Sequence, residues 1–211
     1  MQRPSFTEAF LAESASILGI APPSDVEEVV RVLRSTRDRG GRLFLCGSGG
    51  GAAHASHATC DFRKLAGFEA YCPNDNVAEL TARVNDEGWE VAYSNWLIGS
   101  RIRSGDCLFV FSVGGGDAER GVSMNLVKAI RTAKEAGASV TGIVGRDGGY
   151  LRAAADACIL VPTVNPANVT AHTEGMQAVF WHLLVTHPDL LRSAPRWESL
   201  DAARVAQAPT R

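Results

Sequence analysis

The feature that most constrains this chain is RLFLCGSGGG, residues 42–51, where a short apolar run meets four glycines arranged around one serine. The residues that follow, AAHASHATCDF, carry helical spacing. Strand, glycine loop and helix in that order form the βα unit of a phosphate-binding α/β fold. Such a loop leaves backbone N–H groups free at a helix N-terminus, where the helix dipole favours an anion. The pattern recurs: residues 106–112 read as a strand, 113–121 (VGGGDAERG) as a loop and 122–137 as a helix. Residues 138–145 and 157–162 read as strands, and 77–84, 91–102, 150–155 and 170–186 as helices. Alternating strands and helices predict a parallel sheet covered on both faces. The expected fold is a doubly wound, flavodoxin-like α/β sheet in three layers.

Two helices precede this alternation. The spacing of Phe6, Phe10, Leu11, Ile17 and Leu18 predicts one over residues 6–18, with Ser5 and Thr7 as caps. Ser24 is expected to cap a second, running through Val26, Val29, Val30, Val32 and Leu33 and closed by Gly40 and Gly41. The domain reading is N-terminal helices over 1–39, the α/β domain over 40–188 and a tail over 189–211 with a short helix near 197–206.

Composition narrows the partners. A net charge of -2 gives no reason to expect a nucleic-acid partner, which would favour a basic surface. It leaves room for an anionic small ligand, because backbone N–H groups bind phosphate without net positive charge. The five cysteines include no CxxC pair and mostly sit in apolar runs, so reduced, buried thiols are expected. No segment reaches the roughly 20 apolar residues of a membrane span. The opening stretch MQRPSFTEAFLAES does not read as a signal peptide. A cytoplasmic protein with no membrane partner is expected.

Neither glycine loop is a nucleotide fingerprint. The first lacks the Lys-Ser/Thr ending of a P-loop and the acidic partner of a dinucleotide site. His57 and Asp61 are four residues apart and so share one face of the predicted helix; taken alone, such a pair reads as a surface pair.

As an ordered set, these segments resemble the phosphoheptose isomerases, a branch of the SIS (sugar isomerase) domain superfamily. CGSGGGAAHASHATCDF resembles that family's CGNGGSxxDAxHFAEEL, and VNDEGW its segment ending in GND. GDCLFVFS resembles GDVLxxIS, and VKAIRTAKEAGASVTGIVGRDGG is similar to VIKAIxxAREKGxxVIxLTGKDGG. VTAHTEGMQAVFWHLL takes the place of RIQExHxxxIHxL.

The resemblance implies an aldose–ketose isomerase acting on sedoheptulose 7-phosphate, with a divalent metal, zinc by its chemistry, and a homotetramer with sites at subunit interfaces; an isomerase of another sugar phosphate and a non-catalytic sugar-phosphate-sensing domain are the alternatives. It implies His57, Asp61, Glu174 and His182 as metal ligands, with Asp61, Glu174 and His182 also in proton transfer. Glu174 stands where the family has glutamine, and its place on the helix leaves it either a ligand or a base. The implied substrate-binding residues are Ser48, Gly49, Gly50, Gly51, Asn85, Asp86, Ser112, Gly114, Gly115, Arg120 and Ser123. Two departures stand out. Ser48 replaces the family's asparagine, and the second loop, STSGNS in the family, is SVGGGDAERGVS here. With fewer hydroxyls there, backbone N–H groups or Arg120 are expected to take the anion. His54 reads as a first-turn helix residue, and His172 as a cap or a residue supporting the ligands.

Overall fold

The computed structural model describes residues 3–194; the helix expected near 197–206 lies outside them. The N-terminal helix α1 (Phe6–Ile20) starts at Ser5, whose hydroxyl accepts from Glu8 N while the Glu8 carboxylate accepts from Ser5 N. This reciprocal capping satisfies two otherwise orphaned donors. Helix α2 (Pro23–Asp38) departs from expectation: Pro22 is its N-cap, Pro23 opens it, and no side chain caps it. Proline at the first helical position lacks only an N–H that would be unpaired anyway, so a Ser24 cap is not needed.

The sheet contains β1 (Leu43–Gly47), β2 (Ala70–Tyr71), β3 (Cys107–Ser112), β4 (Ser139–Val144) and β5 (Ala157–Leu160). All pairs are parallel, in the order β2-β1-β3-β4-β5. Between them run α3 (Gly50–Lys64), α4 (Val77–Glu87), α5 (Trp89–Gly99), α6 (Met124–Glu135) and α7 (Gly149–Ala154), and α8 (Val169–Thr186) follows β5. The helix expected to reach residue 102 stops at Gly99, because Arg101 takes a left-handed φ of 54°.

Strand alternation divides the core between two faces. Phe109 and Phe111 join Leu33, Phe62, Trp181 and Leu184 on the face covered by α2, α3 and α8. Leu108 and Val110 join Tyr93, Leu126 and Ile130 on the face covered by α5, α6 and α7. Thus α2 is part of the layered core. In contrast, α1 buries only Ile17 and exposes Phe6, Leu11, Leu18 and Ile20.

The strand order places a switch point at β1 and β3. From β1 the chain passes through α3 to β2 at one edge; from β3 it passes through α6, on the opposite face, towards β4. Loops that diverge in this way leave a crevice beyond the strand ends, where ligands of open α/β sheets bind. Both glycine loops leave the sheet at this crevice.

Candidate active site

The first loop is built from close backbone approaches. Gly49 has φ 58°, a conformation that L side chains rarely adopt. A Cβ on Gly51 would lie 2.7 Å from the Phe111 carbonyl oxygen, so glycine lets α3 pack against β3. The loop delivers the N-terminus of α3, which no side chain caps. Above it lies the half-buried Glu174: a Cβ on Gly50 would fall 2.6 Å from both of its carboxylate oxygens. The positive end of α3 favours a carboxylate there.

The second loop uses much of its hydrogen-bonding capacity internally. The Ser112 hydroxyl accepts from Gly115 N at 2.9 Å. Asp117 Oδ1 accepts from both Glu119 N and Arg120 N at 2.9 Å, and Asp117 pairs with Val122 across a small antiparallel bridge. The carbonyls of Gly115 and Gly116 accept from Leu151 N and Tyr150 N at the start of α7. Arg120 is exposed and lies 3.6 Å from Asp117. Gly114 lies beside the Arg146 side chain, and Ser123 takes a left-handed φ of 52° at the N-cap of α6. Asn85 and Asp86 are exposed in the last turn of α4, where Asn85 Nδ2 donates to Asp86 Oδ1.

Helices α3 and α8 run side by side in the same direction, with Gly50 opposite Glu174, His54 opposite Gln177, and Asp61 opposite Trp181 and His182. His57, Asp61 and His182 converge two turns beyond Glu174, each offering a ligand atom within 4.8 Å of the others. Both imidazole Nε2 atoms lie 3.6 Å from Asp61 Oδ2. His182 Nδ1 donates to the Ala178 carbonyl at 2.7 Å, which leaves Nε2 as the ring nitrogen that faces Asp61 and can ligate. Trp181 Nε1 donates to Asp61 Oδ2 at 3.1 Å and fixes the carboxylate.

These donors fit a divalent ion. Tetrahedral zinc with ligands at about 2.0–2.1 Å separates neighbouring ligand atoms by about 3.3 Å, close to the 3.6 Å of each Asp61–histidine pair. Glu174 is not part of this group. Eight residues before His182, it stands about 12 Å away along α8 and reaches the glycine loop instead.

The neighbouring histidines have other partners. His54, in the second turn of α3, lies with Nδ1 2.9 Å from Gln177 Oε1, and Gln177 Nε2 donates to the carbonyls of Ser112 and Ile143. His172 is not a helix cap. It is buried, stacks on Phe10 and pairs with Glu13 at 2.7 Å, so it fastens α1 to α8. The cysteines are unbridged; Cys46, Cys72 and Cys107 are buried, Cys158 is partly buried and Cys60 is exposed.

Sequence patterns alone did not single out Gln177, Trp181 or Asn125. Asn125, fully buried in the first turn of α6, donates from Nδ2 to Ser48 Oγ at 2.8 Å. The only signal was a polar residue on an otherwise apolar helix face.

Comparison with known proteins agrees with this fold. A SIS domain model matches residues 21–145. A phosphoheptose isomerase of Mycobacterium bovis is 34% identical over 164 residues, which span 74% of this chain and 77% of that protein. A lincomycin biosynthesis protein of Streptomyces lincolnensis is 33% identical over 201 residues, 90% of this chain and 70% of that protein. The solved structure of a phosphoheptose isomerase from Neisseria gonorrhoeae superposes with a TM-score of 0.72 at 25% identity, over 85% of this chain and 94% of that one.

Proposed function

The chain belongs to the SIS domain family and to its phosphoheptose isomerases, aldose–ketose isomerases of sugar phosphates, and from that premise we propose that it interconverts sedoheptulose 7-phosphate and D-glycero-D-manno-heptose 7-phosphate through an enediol. The observation that carries this reading is the Glu174 carboxylate held over Gly50, inside the loop that would receive the anionic substrate. Aldose–ketose exchange moves a proton between adjacent carbons, and a carboxylate beside the bound sugar can remove it and return it. Glu174 is therefore assigned as the base rather than a ligand, and Asp61, fixed by Trp181, belongs to the ligand set.

His57, Asp61 and His182 would hold a divalent ion, zinc by donor type. When bound, such an ion supplies a Lewis acid for a carbonyl oxygen. The main-chain N–H groups of Ser48, Gly49 and Gly50, with Gly114, Ser112 and Ser123 from the second loop, are assigned to the substrate; Gly51 N donates to the Ser48 carbonyl and Gly115 N to the Ser112 hydroxyl, so these two shape the loops instead. Asn85, Asp86 and Arg120 are assigned to the periphery of the substrate.

The ligand cluster is half-exposed in one chain, with His57 at 59% and His182 at 52%. Val179 and Leu183 are exposed beside it, and α1 exposes an apolar face of its own. These surfaces support a homotetramer in which a second copy covers the cluster. No described helix is long and apolar enough to cross a membrane, and a cytoplasmic setting is the one we assign.

A second reading, an isomerase of a different sugar phosphate, is favoured by the second loop, where Asp117 takes up N–H groups that an anion would otherwise use. Isomerisation assays on seven-, six- and five-carbon sugar phosphates test both. Turnover strongest on the seven-carbon substrate is expected; strongest turnover on a shorter one selects the second reading, and none on any overturns both.

A further inference from the structure

The two glycine loops are joined by one side-chain contact that the assigned chemistry does not use. Asn125 Nδ2 donates to Ser48 Oγ at 2.8 Å. Ser48 lies at the tip of the first loop and is half-buried; Asn125 is 1% exposed, in the first turn of the helix that leaves the second loop. The Asn125 Oδ1 atom is buried without a hydrogen-bond partner. An orphaned buried acceptor costs about 1–3 kcal/mol. The protein therefore tolerates an unfavourable group to keep an amide at this position, where an apolar residue would avoid that cost.

The hydrogen-bond inventory says what the amide achieves. An amide NH2 only donates, so Ser48 Oγ must accept from it. The Ser48 hydroxyl proton cannot then point at Asn125 and is left for another acceptor. Without Asn125 the same hydroxyl is free to rotate and to act as acceptor or donor.

We infer that Asn125 is a positioning residue that fixes Ser48 as a hydrogen-bond donor to an oxygen of the sugar phosphate, and so couples the second loop to recognition at the first. The inference rests on the isomerase reading in taking a sugar phosphate as the partner of Ser48.

The test is a double-mutant cycle with Ser48→Ala and Asn125→Ala, read in two ways. The first is kcat and KM for sedoheptulose 7-phosphate. The second is calorimetric affinity for the corresponding heptitol 7-phosphate, which has no carbonyl and cannot isomerise. A hydrogen bond to a charged group sets the scale: Ser48→Ala and Asn125→Ala should each weaken affinity and kcat/KM by about tenfold or more. Adding Asn125→Ala to Ser48→Ala should change either by less than about twofold, because its effect passes through Ser48. Melting temperatures should stay close together, since removing Asn125 also removes the orphaned oxygen. Additive losses, or no loss from Asn125→Ala alone, would overturn the inference. Should Asn125→Ala prove insoluble, Asn125→Ser, too short to span the contact, gives the same cycle. If wild-type protein binds the heptitol phosphate but turns over no sugar phosphate, the isomerase reading fails while the binding cycle still decides the role of Asn125. If it binds neither, both fail.

Discussion

Replacing Gly50 by alanine separates chemistry from folding. Gly50 opens α3 with a backbone outside the left-handed region, so alanine fits the main chain. Its Cβ would lie 2.6 Å from the Glu174 carboxylate carbon and from both oxygens. Ordinary contact between such atoms begins near 3.5 Å, so the carboxylate must retreat by about 1 Å. The atoms in the way are the far end of a flexible side chain, and the fold has little to resist. Stability should stay within about 1 kcal/mol of wild type, with a small gain from the stiffer residue in the unfolded chain. A base displaced by about 1 Å should lower kcat by about 10²-fold. Steady-state isomerisation rates beside thermal melting curves make the comparison. A Gly50→Ala protein that melts normally and keeps wild-type kcat would refute the assignment of Glu174 as base.

Three further outcomes follow from the structure. Asp106 is buried and accepts from Arg42 N, Arg42 Nη2 and Arg103 N, so Asp106→Ala takes the carboxylate from these donors and leaves the Arg42 guanidinium only the Ser100 and Arg101 carbonyls. It should cost about 3–5 kcal/mol, seen as a melting temperature lower by about 10 °C. Glu13 is held down to about 2 by donors from Asn168, His172 and Asn165. Its contribution is complete above the ordinary value of 4.5 and is lost as pH falls towards 2, so Glu13→Gln should flatten the acid limb of a melting-temperature-versus-pH curve. His182→Ala should lower the zinc retained after dialysis by about 10-fold or more, with the fold intact by circular dichroism; unchanged retention would remove His182 from the ligand set.

The architecture was largely legible because its units are local. A strand, a glycine loop and a helix each leave their own pattern, and two complete units fixed the parallel sheet. Strand β2, with Ala70 and Tyr71 only, is too short to show a period. The Ser24 cap was misread because a serine after two prolines fits the capping pattern, yet Pro23 already opens the helix. At the site, His57 and Asp61 were readable because four residues make one helical turn. Whether Glu174 sided with the ligands or the loop depended on how far α3 and α8 are offset, a tertiary quantity. Asn125 and Gln177 escaped notice for a related reason. Their partners, Ser48 for one and His54 and Ser112 for the other, are distant in sequence, and only the packed sheet brings them together.

The central claim is that a carboxylate at the first glycine loop moves a proton between neighbouring carbons of a sugar phosphate. Running the isomerisation of sedoheptulose 7-phosphate in D2O and following the aldose C2 hydrogen by NMR tests it most directly. The account predicts deuterium at C2 with wild-type protein and loss of both exchange and turnover with Glu174→Gln. Aldose formed at the wild-type rate by Glu174→Gln, with its C2 deuterium undiminished, would contradict it.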